Sequence, residues 1–425
     1  MAREFGSRLA SATAAVPASA TLARRAAILA LSLAVLALAA CGGQSRQQSQ
    51  QPSTAPATSA PVAPLPAGPV GGPPPSPDGK TRIGLLLPLS GNAKELGQAM
   101  LESAQMALFD LGRQDIVLLP QDTGDSPDMA VAAAQKALGE GAQIILGPLF
   151  STSTAAVAPV ANAAGVQVIS FSNDPAVAGP GTFLMGFTVQ PQVERVVAHA
   201  ASQGLTRMAV LAPSSPYGQT VVSTMEATAA ARGASVQPVG FFDPGGQDVN
   251  ASVTGFAASA RGVQAVMVPV GGARLSQVVP LLAYRDLDPR QTKYLGTGLW
   301  DVPNIWREGA LLGAWYAAPP PQTRADFERR FNETYGRQPP RLATLAYDAT
   351  ALAGLIGTKV PGGSLLTAQT LSDPNGFAGV DGIFRWGPDG LPQRGLAVIE
   401  IQRNGVQVIS PAPASFQLQT SMLAR

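Results

Sequence analysis

The sequence has one cysteine and one histidine among its 425 residues. A single cysteine excludes an internal disulfide, and with one histidine it provides too few ligands for a common zinc site. Because the chain has one histidine, a catalytic nucleophile could be paired with a histidine base only if that base were His199. His199 falls on a predicted helix, where a lone histidine is usually a core or surface residue. We therefore expect a protein that is not an enzyme and that uses no cofactor and no metal.

Charge is also scarce, since only 13% of the residues are Asp, Glu, Lys or Arg. Counted from Cys41 onward, the chain has 25 basic and 26 acidic residues, because four basic residues and one acidic residue precede that point. A nucleic-acid-binding protein needs a basic patch, so this balance predicts no such partner. Hydrophobic residues make up 46% of the chain, enough to bury a large core.

The only cysteine, Cys41, directly follows an uncharged and largely apolar run over residues 26–40. A helix needs about 20 apolar residues to cross a bilayer, so this run is short for a permanent span. Arg24 and Arg25 precede it, and small residues close it. A basic flank, a short apolar core and a small-residue exit are typical of a secretory signal peptide.

The exit, Leu38-Ala39-Ala40-Cys41, resembles the lipobox of bacterial lipoproteins. The resemblance implies a signal peptide over residues 1–40, cleavage before Cys41, and a lipid on its thiol that anchors the protein to a membrane. A plain signal peptide with an incidental cysteine is the alternative. In the Gram-negative sorting pattern that this resembles, Asp after the cysteine retains a lipoprotein in the inner membrane. Gly42 therefore implies an outer-membrane lipoprotein that faces the periplasm.

Residues 41–80 form the next segment, a Pro/Gln-rich stretch that we expect to be a disordered tether. Residues 44–79 contain ten prolines, two charged residues and no aromatic residue. Such a composition cannot bury enough apolar surface to fold. The tether either gives a globular domain clearance from the membrane or lets it reach a partner across the periplasm.

From residue 81 the pattern changes to apolar segments of strand length that alternate with segments of helical periodicity. This alternation predicts parallel sheets covered by helices on both faces, and the length favours two α/β lobes. Two antiparallel strands with a turn at Asn404-Gly405 are expected near the end, before a tail over 410–425. The expected strands are 81–88, 116–122, 142–147, 166–170, 207–213, 235–241, 265–269, 293–298, 383–390 and 396–409, and the expected helices are 96–111, 126–138, 153–164, 191–203, 217–232, 249–260 and 273–284.

Several of these segments, in this order, resemble the leucine-binding type of periplasmic binding protein. The resemblance implies a type I fold over residues 81–409, with two doubly wound parallel-sheet lobes joined by a hinge. Lobe 1 would comprise 81–189 and 320–362, and lobe 2 would comprise 190–319 and 363–409. A ligand would lie between them, at the carboxyl ends of the strands. The motifs that carry the resemblance are IGLLLPLSG (83–91), DTGDSPDMAVAAAQKAL (122–138), GAQIILGPLFSTST (141–154), VQVISFSND (166–174), PYG (216–218) and RLATLAYDATAL (341–352).

Within that family the sequence is most similar to the penicillin-binding protein activators, which are outer-membrane lipoproteins that contact a peptidoglycan synthase. The lipobox, Gly42, the tether and the RLATLAYDA stretch carry this similarity. It implies a non-catalytic adaptor with a peptidoglycan synthase as partner. The alternative is a substrate-binding lipoprotein that serves an ABC permease for branched-chain amino acids or related small acids.

Polar residues that follow the predicted strands are the candidate ligand-binding residues. Ser151, Thr152 and Ser153 lie at a helix start, where backbone N–H groups and hydroxyls can hold a carboxylate, although such a serine can also simply cap the helix. Ser170 and Ser172 follow the next strand and would complete the polar end of the pocket. In the family, the tyrosine of PYG, here Tyr217, lines the cleft from the second lobe; packing is the alternative role.

The ammonium end of an amino-acid ligand would need a carboxylate, because a buried ammonium without a partner is costly. The family's acidic residue would fall near Gly298, which has no side chain, so Asp301 is the candidate to replace it. If Asp301 does not, the protein does not bind free α-amino acids in the usual way. Trp300 and Trp306 would then be candidates to fill the space, although a large aromatic side chain more often belongs to the core.

Overall fold

The computed structural model describes residues 78–357, 359–360, 363–364 and 366–416. The predicted signal peptide, Cys41, nearly all of the tether and the tail from residue 417 lie outside the described residues. Within the described part of the chain, no helix combines the length and apolar character that a membrane span requires.

The helices and strands are numbered here in chain order. The helices are α1 (Lys94–Leu111), α2 (Pro127–Gly139), α3 (Ser151–Ala163), α4 (Val189–Ser202), α5 (Pro216–Ala230), α6 (Val249–Ser259), α7 (Gly272–Tyr284), α8 (Pro321–Tyr335), α9 (Ala343–Ile356) and α10 (Ala368–Leu371). The strands are β1 (Thr81–Leu87), β2 (Ile116–Asp122), β3 (Ile144–Leu146), β4 (Gln167–Ser170), β5 (Thr182–Leu184), β6 (Arg207–Pro213), β7 (Ser235–Phe242), β8 (Ala265–Met267), β9 (Lys293–Gly296), β10 (Trp315–Ala318), β11 (Lys359–Val360), β12 (Gly363–Ser364), β13 (Phe377–Gly379), β14 (Gly382–Trp386), β15 (Pro392–Arg394), β16 (Ala397–Gln402) and β17 (Gly405–Ser410).

The first lobe is built on a five-stranded parallel sheet with the order β2-β1-β3-β4-β5. Helices α1 and α9 pack on one face, and α2 and α3 pack on the other. The buried face of α2 consists of alanines, which lets the helix approach the sheet closely: a Cβ on Gly84 would lie 3.1 Å from that of Ala137. Helix α2 starts as its sequence predicts, since the Ser126 hydroxyl accepts a hydrogen bond from the backbone N–H of Met129.

The second lobe is built on a seven-stranded sheet with the order β17-β16-β10-β9-β8-β6-β7. Strands β6 to β10 run parallel, and the β16–β17 hairpin joins β10 in antiparallel fashion. Because Gln402 pairs with Gly405, the two turn residues are Arg403 and Asn404, one position before the predicted Asn404-Gly405. Helices α4 and α5 cover one face and α6 and α7 cover the other. Both sheets are therefore doubly wound; their central strands are buried, whereas the edge strands β2, β7 and β17 are partly exposed.

A three-stranded antiparallel sheet, β13-β14-β15, stands apart from both main sheets. Its side chains Phe384 and Trp386 belong to the core cluster of the first lobe, where Trp386 packs edge-on against Phe183. The expectation assigned all of 363–409 to the second lobe, but residues 377–394 pack on the first lobe because these aromatic side chains are buried there. Only the segment from Ala397 onward joins the sheet of the second lobe.

The chain passes between the lobes at three places, between β5 and α4, between β10 and α8, and between β15 and β16. Helix α8 belongs to the first lobe, since Phe327 and Phe331 pack with Ala99 and Met106 of α1. These crossing segments run next to the ends of strands from both sheets, and side chains from all three meet at one cavity.

Candidate functional site

The cavity between the lobes has a volume of about 460 Å³. Its walls come from both lobes and from the crossing segments, at the carboxyl ends of several parallel strands, which is where open α/β sheets bind ligands. Its size and largely apolar wall are typical of small-molecule sites. The lining residues include Leu96, Phe150, Phe171, Phe187, Gln192, Tyr217, Gly298, Leu299, Asp301, Val302, Pro319, Arg341, Leu342 and Arg394.

Tyr217 and Asp301 are the two predicted site residues that line this cavity. The Tyr217 hydroxyl lies 3.0 Å from the Thr297 hydroxyl, so the two exchange a hydrogen bond beside the cavity. Burial raises the pKa of Tyr217 to about 12, which keeps its hydroxyl neutral and able to donate or accept at physiological pH. Both residues come from the second lobe.

The predicted hydroxyl residues of the first lobe do not line the cavity. Ser151, Thr152 and Ser153 form the first turn of α3, and Phe150, just before it, lines the cavity instead. Ser170 Oγ lies 2.7 Å from Thr154 Oγ1 and 3.1 Å from the Pro148 carbonyl oxygen, and Ser172 Oγ accepts a hydrogen bond from the backbone N–H of Asp174 at 3.1 Å. That these five residues hold the carboxylate of a ligand stays a prediction.

Asp301 is only 4% exposed and is held by two arginines of the first lobe. Arg324 donates two hydrogen bonds to its carboxylate, at 2.7 and 3.0 Å, and Arg341 Nε donates a third at 2.7 Å. These ionic hydrogen bonds join the lobes, and we call this group of three residues the interlobe clasp. The carboxylate that was expected to receive a ligand ammonium is thus already paired with two cations.

Arg341 also extends the network within the first lobe. It donates to both oxygens of Asp381, at 2.8 and 3.2 Å, and Asp381 is fully buried. Burial opposes ionisation of Asp381, but Arg341 outweighs that effect and holds the pKa of the carboxyl below its usual value. The neighbouring Asp348 has no such arginine, and burial together with Asp381 raises its pKa to about 7.

Arg394 is a further cation in the cavity wall. Its Nη2 donates to the Met185 carbonyl, whereas Nε and Nη1 are shielded from solvent and have no hydrogen-bond partner among the described residues. The guanidinium carbon lies 4.8 Å from the ring centroid of Phe187, and that of Arg341 lies 4.4 Å from the same centroid. Burial lowers the pKa of Arg394 despite the nearby Asp381 and Asp348.

Gly298 occupies the position at which the family resemblance called for an acid. Its backbone N–H donates to Gln192 Oε1 at 2.6 Å, and a Cβ built on Gly298 would lie 3.0 Å from that same oxygen. Gln192 is held in turn by the Thr188 carbonyl, to which its amide donates at 2.9 Å. An uncharged amide therefore fills the space that a carboxylate side chain would take.

The remaining residues singled out from the sequence lie away from the cavity wall. Trp300 is fully buried in the core of the second lobe and donates to the Val270 carbonyl at 2.8 Å, and Trp306 packs against the same core. His199, which lies on α4, packs edge-on against Trp315 of β10, with ring centroids 5.0 Å apart. In the described part of the chain, no three His, Cys, Asp or Glu side chains are grouped so as to hold a metal ion.

A family model described as "periplasmic binding protein" matches residues 80–406. The chain belongs to the periplasmic binding protein family. The predicted α/β type I fold with two parallel-sheet lobes is confirmed, and family membership implies a periplasmic location.

Two curated relatives match part of this binding protein. An uncharacterized protein of Rickettsia prowazekii is 26% identical over 171 residues, which are 40% of this chain and 46% of the relative. The Leu/Ile/Val-binding protein BraC3 of Rhizobium johnstonii is 26% identical over 188 residues, which are 40% of this chain and 50% of the relative. The chain thus spans about half the length of the curated relatives it matches.

Solved structures match most of the binding protein. An ABC transporter substrate-binding protein from Sphaerobacter thermophilus has a TM-score of 0.66 at 20% identity and covers 79% of this chain and 98% of its own. A solute-binding protein from R. palustris in complex with benzoate has a TM-score of 0.59 at 19% identity, with 79% and 98% covered. LivJ from Streptococcus pneumoniae in complex with isoleucine has a TM-score of 0.59 at 17% identity, with 78% and 100% covered. These likenesses establish the fold.

Sequence reasoning missed the basic and aromatic part of the cavity wall. Arg341 stands in the motif RLATLAYDATAL, which was used only to recognise the family, and Arg394 stands in a crossing segment without a motif. Their partners Asp301 and Asp381 are 40 residues from Arg341 in opposite directions. The one signal available was the position of Phe187 next to the predicted lobe crossing at residues 189–190, whereas Arg394 lay inside a segment that was assigned wholly to the second lobe.

Proposed function

We propose that this protein is a non-catalytic receptor that binds a small solute between its lobes and presents it to an ABC permease. The observation that carries the proposal is the cavity of about 460 Å³ at the carboxyl ends of the strands, with walls from both lobes. Proteins of the same fold bind isoleucine and benzoate, as the structures from Streptococcus pneumoniae and R. palustris record. A pocket of this size and composition suits a solute of that scale.

The test is a series of thermal melts of the exported chain without its lipid. The panel contains amino acids, small organic acids and muropeptides, each at about 1 mM. A ligand with a micromolar dissociation constant stabilises the folded state by about 4 kcal/mol at that excess. We expect an upward shift of several degrees with one chemical class, and a panel without any shift would contradict the receptor.

We also propose that the receptor is anchored through a lipid on Cys41 and that Gly42 directs it to the outer membrane, from which its tether would have to carry it across the periplasm to a permease. Several acyl chains give firm anchoring, since each buried methylene contributes about 0.8 kcal/mol. Mass spectrometry of the membrane fraction should find the chain starting at Cys41 with its acyl mass. A Cys41→Ser variant should appear in the soluble periplasm, and a membrane-bound Cys41→Ser protein would contradict the anchor.

An adaptor of the penicillin-binding protein activator type is the second candidate. It is favoured by the pairing of Asp301 with Arg324 and Arg341, because no free carboxylate then remains in the described cavity wall for an amino-acid ammonium. An outer-membrane anchor also suits an adaptor, since a permease lies in the other membrane. Stimulation of a peptidoglycan synthase by the soluble chain, together with a silent ligand panel, would favour the adaptor over the receptor.

A further inference from the structure

The arginines around the cavity differ in how completely their charges are matched. Arg324 has Asp301 and the half-exposed Glu328 as partners, and Arg341 has Asp301 and Asp381. Arg394 makes no ion pair within the described residues, and two of its guanidinium nitrogens lack any hydrogen-bond partner. Buried guanidinium groups are normally paired, so this one stands out as a cation without an acceptor.

The carboxylates near Arg394 are engaged elsewhere. Asp381 accepts hydrogen bonds from Arg341 and from the Thr344 hydroxyl at 2.6 Å. Asp348 accepts from the backbone N–H of Val380 at 2.7 Å, an interaction that fixes it facing the β13–β14 turn. None of the described residues therefore supplies an acceptor to Nε and Nη1 of Arg394. Arg394 forms part of the cavity wall, so an acceptor from outside the protein can reach its side chain from the cavity. Because Nε and Nη1 are shielded from solvent, the side chain must rotate to present them, and such rotations are common on binding.

The rest of the cavity wall defines the body of such a ligand. Apolar and aromatic side chains from both lobes make up most of it, including Leu96, Phe171, Phe187 and Leu299. Asp301, the one acid that the described residues contribute to the wall, already accepts three hydrogen bonds from guanidinium groups. A ligand ammonium placed next to it would face Arg324 and Arg341 at close range and would be repelled.

We propose that the cavity takes a small monocarboxylate with an apolar body and no ammonium group, and that Arg394 is the anchor for its carboxylate. The proposal rests on the receptor function above and names its ligand class. A carboxylate oxygen would give the unpartnered guanidinium an acceptor through a charge-assisted hydrogen bond, the stronger kind of hydrogen bond in proteins. Phe187, whose ring lies near the guanidinium groups of both Arg341 and Arg394, would flank the ligand next to its carboxylate.

The first experiment is a calorimetric titration of the exported full chain with three compounds of one shape. These are 4-methylpentanoate, which carries only the carboxylate, its neutral amide 4-methylpentanamide, and leucine, which adds the ammonium. We expect 4-methylpentanoate to bind about tenfold or more tightly than either of the others, as one charge-assisted hydrogen bond warrants. Benzoate and benzamide repeat the comparison with a flat apolar body.

The second experiment removes the anchor. Arg394→Gln should weaken binding of 4-methylpentanoate by about tenfold or more and leave binding of the amide nearly unchanged. The matched control is Arg385→Gln in the same three-stranded sheet, whose guanidinium donates at the surface to Gln393 and to the Pro374 carbonyl. It should leave both affinities unchanged. Arg394→Lys keeps the charge without the planar fork and serves if the glutamine variant does not fold.

The outcomes separate the ligand class from the receptor function. Tighter binding of leucine than of 4-methylpentanoate would overturn the proposed class while the receptor stands. Equal binding of the acid and its amide, or an equal loss of both in Arg394→Gln and Arg394→Lys, would overturn Arg394 as the anchor and leave it a structural residue. Silence of the whole series and of the wider panel would overturn the receptor itself.

Discussion

Loss of the interlobe clasp is the perturbation that tests the contact between the lobes. Asp301→Asn keeps the shape of the side chain but removes the negative charge that pairs with Arg324 and Arg341 of the other lobe. Removal of one partner from a buried ion pair costs about 3–5 kcal/mol, since the remaining charges stay buried. The amide oxygen of asparagine can still accept one of the hydrogen bonds, so we expect a loss near 3 kcal/mol.

That loss translates into a measurable shift of the melting temperature. The unfolding entropy is about 2.1 cal/mol/K per residue, or roughly 0.7 kcal/mol/K for a domain of this size. A loss of 3 kcal/mol should therefore lower Tm by about 4 °C. The matched control is Asp326→Asn, whose exposed carboxylate pairs with Arg329 and, more distantly, with Arg330, and its loss should cost less than about 1 kcal/mol, or about 1 °C.

Small-angle scattering adds a readout specific to the lobes. Because the clasp joins Asp301 of one lobe to two arginines of the other, ligand-free Asp301→Asn should have a larger radius of gyration than the wild type, while Asp326→Asn should not. An Asp301→Asn protein whose Tm stays within 1 °C of the wild type and whose scattering profile is unchanged would refute the clasp.

Three further predictions concern the network, the cavity and the fold. Burial raises the pKa of Asp348 to about 7, so the carboxyl of the folded protein keeps a proton that the unfolded chain loses from about pH 4 upward. The free energy of unfolding should therefore fall as pH rises from 5 to 7 and level off above pH 7. Thermal melts at these pH values should give a smaller slope for Asp348→Asn, and an identical slope would contradict the assignment. Tyr217→Phe removes one partly buried hydrogen bond and should cost about 1 kcal/mol in urea unfolding, so a loss above 3 kcal/mol would point to another role. Gly147→Ala places a Cβ 2.1 Å from the Leu86 carbonyl oxygen at a φ of +94°, so we expect little soluble protein on expression, and wild-type yield and Tm would refute the close approach.

Much of the fold could be predicted from the sequence because its strands are short apolar runs bounded by turn residues. β2 and β6 have the predicted bounds, and the βα alternation correctly indicated doubly wound sheets. Two strands of the main sheets, Thr182–Leu184 and Trp315–Ala318, were missed, as were the short strands β11, β12, β13 and β15 outside those sheets. Helix α8 was missed because most of its residues are polar, and its buried face consists of a few widely spaced side chains.

The cavity wall could be predicted only in part. Tyr217 stands in the first turn of a helix, and Asp301 ends the short turn that follows the strand Lys293–Gly296; both positions along the chain indicate the cleft. Arg341 and Arg394 carry no such local signal, since an isolated arginine in a sequence is usually a surface residue. Their burial depends on contacts with residues 40 to 209 positions away, such as Asp381 and Met185, which only the folded chain brings together.

The most direct test of a carboxylate receptor is a crystal structure of the exported chain grown with 4-bromobenzoate, located by the anomalous signal of its bromine. We predict a bromine peak inside the cavity between the lobes, with the carboxylate oriented toward Arg394. A crystal whose protein binds the acid in solution but whose bromine peak lies outside the cavity, or whose carboxylate points away from Arg394, would contradict it.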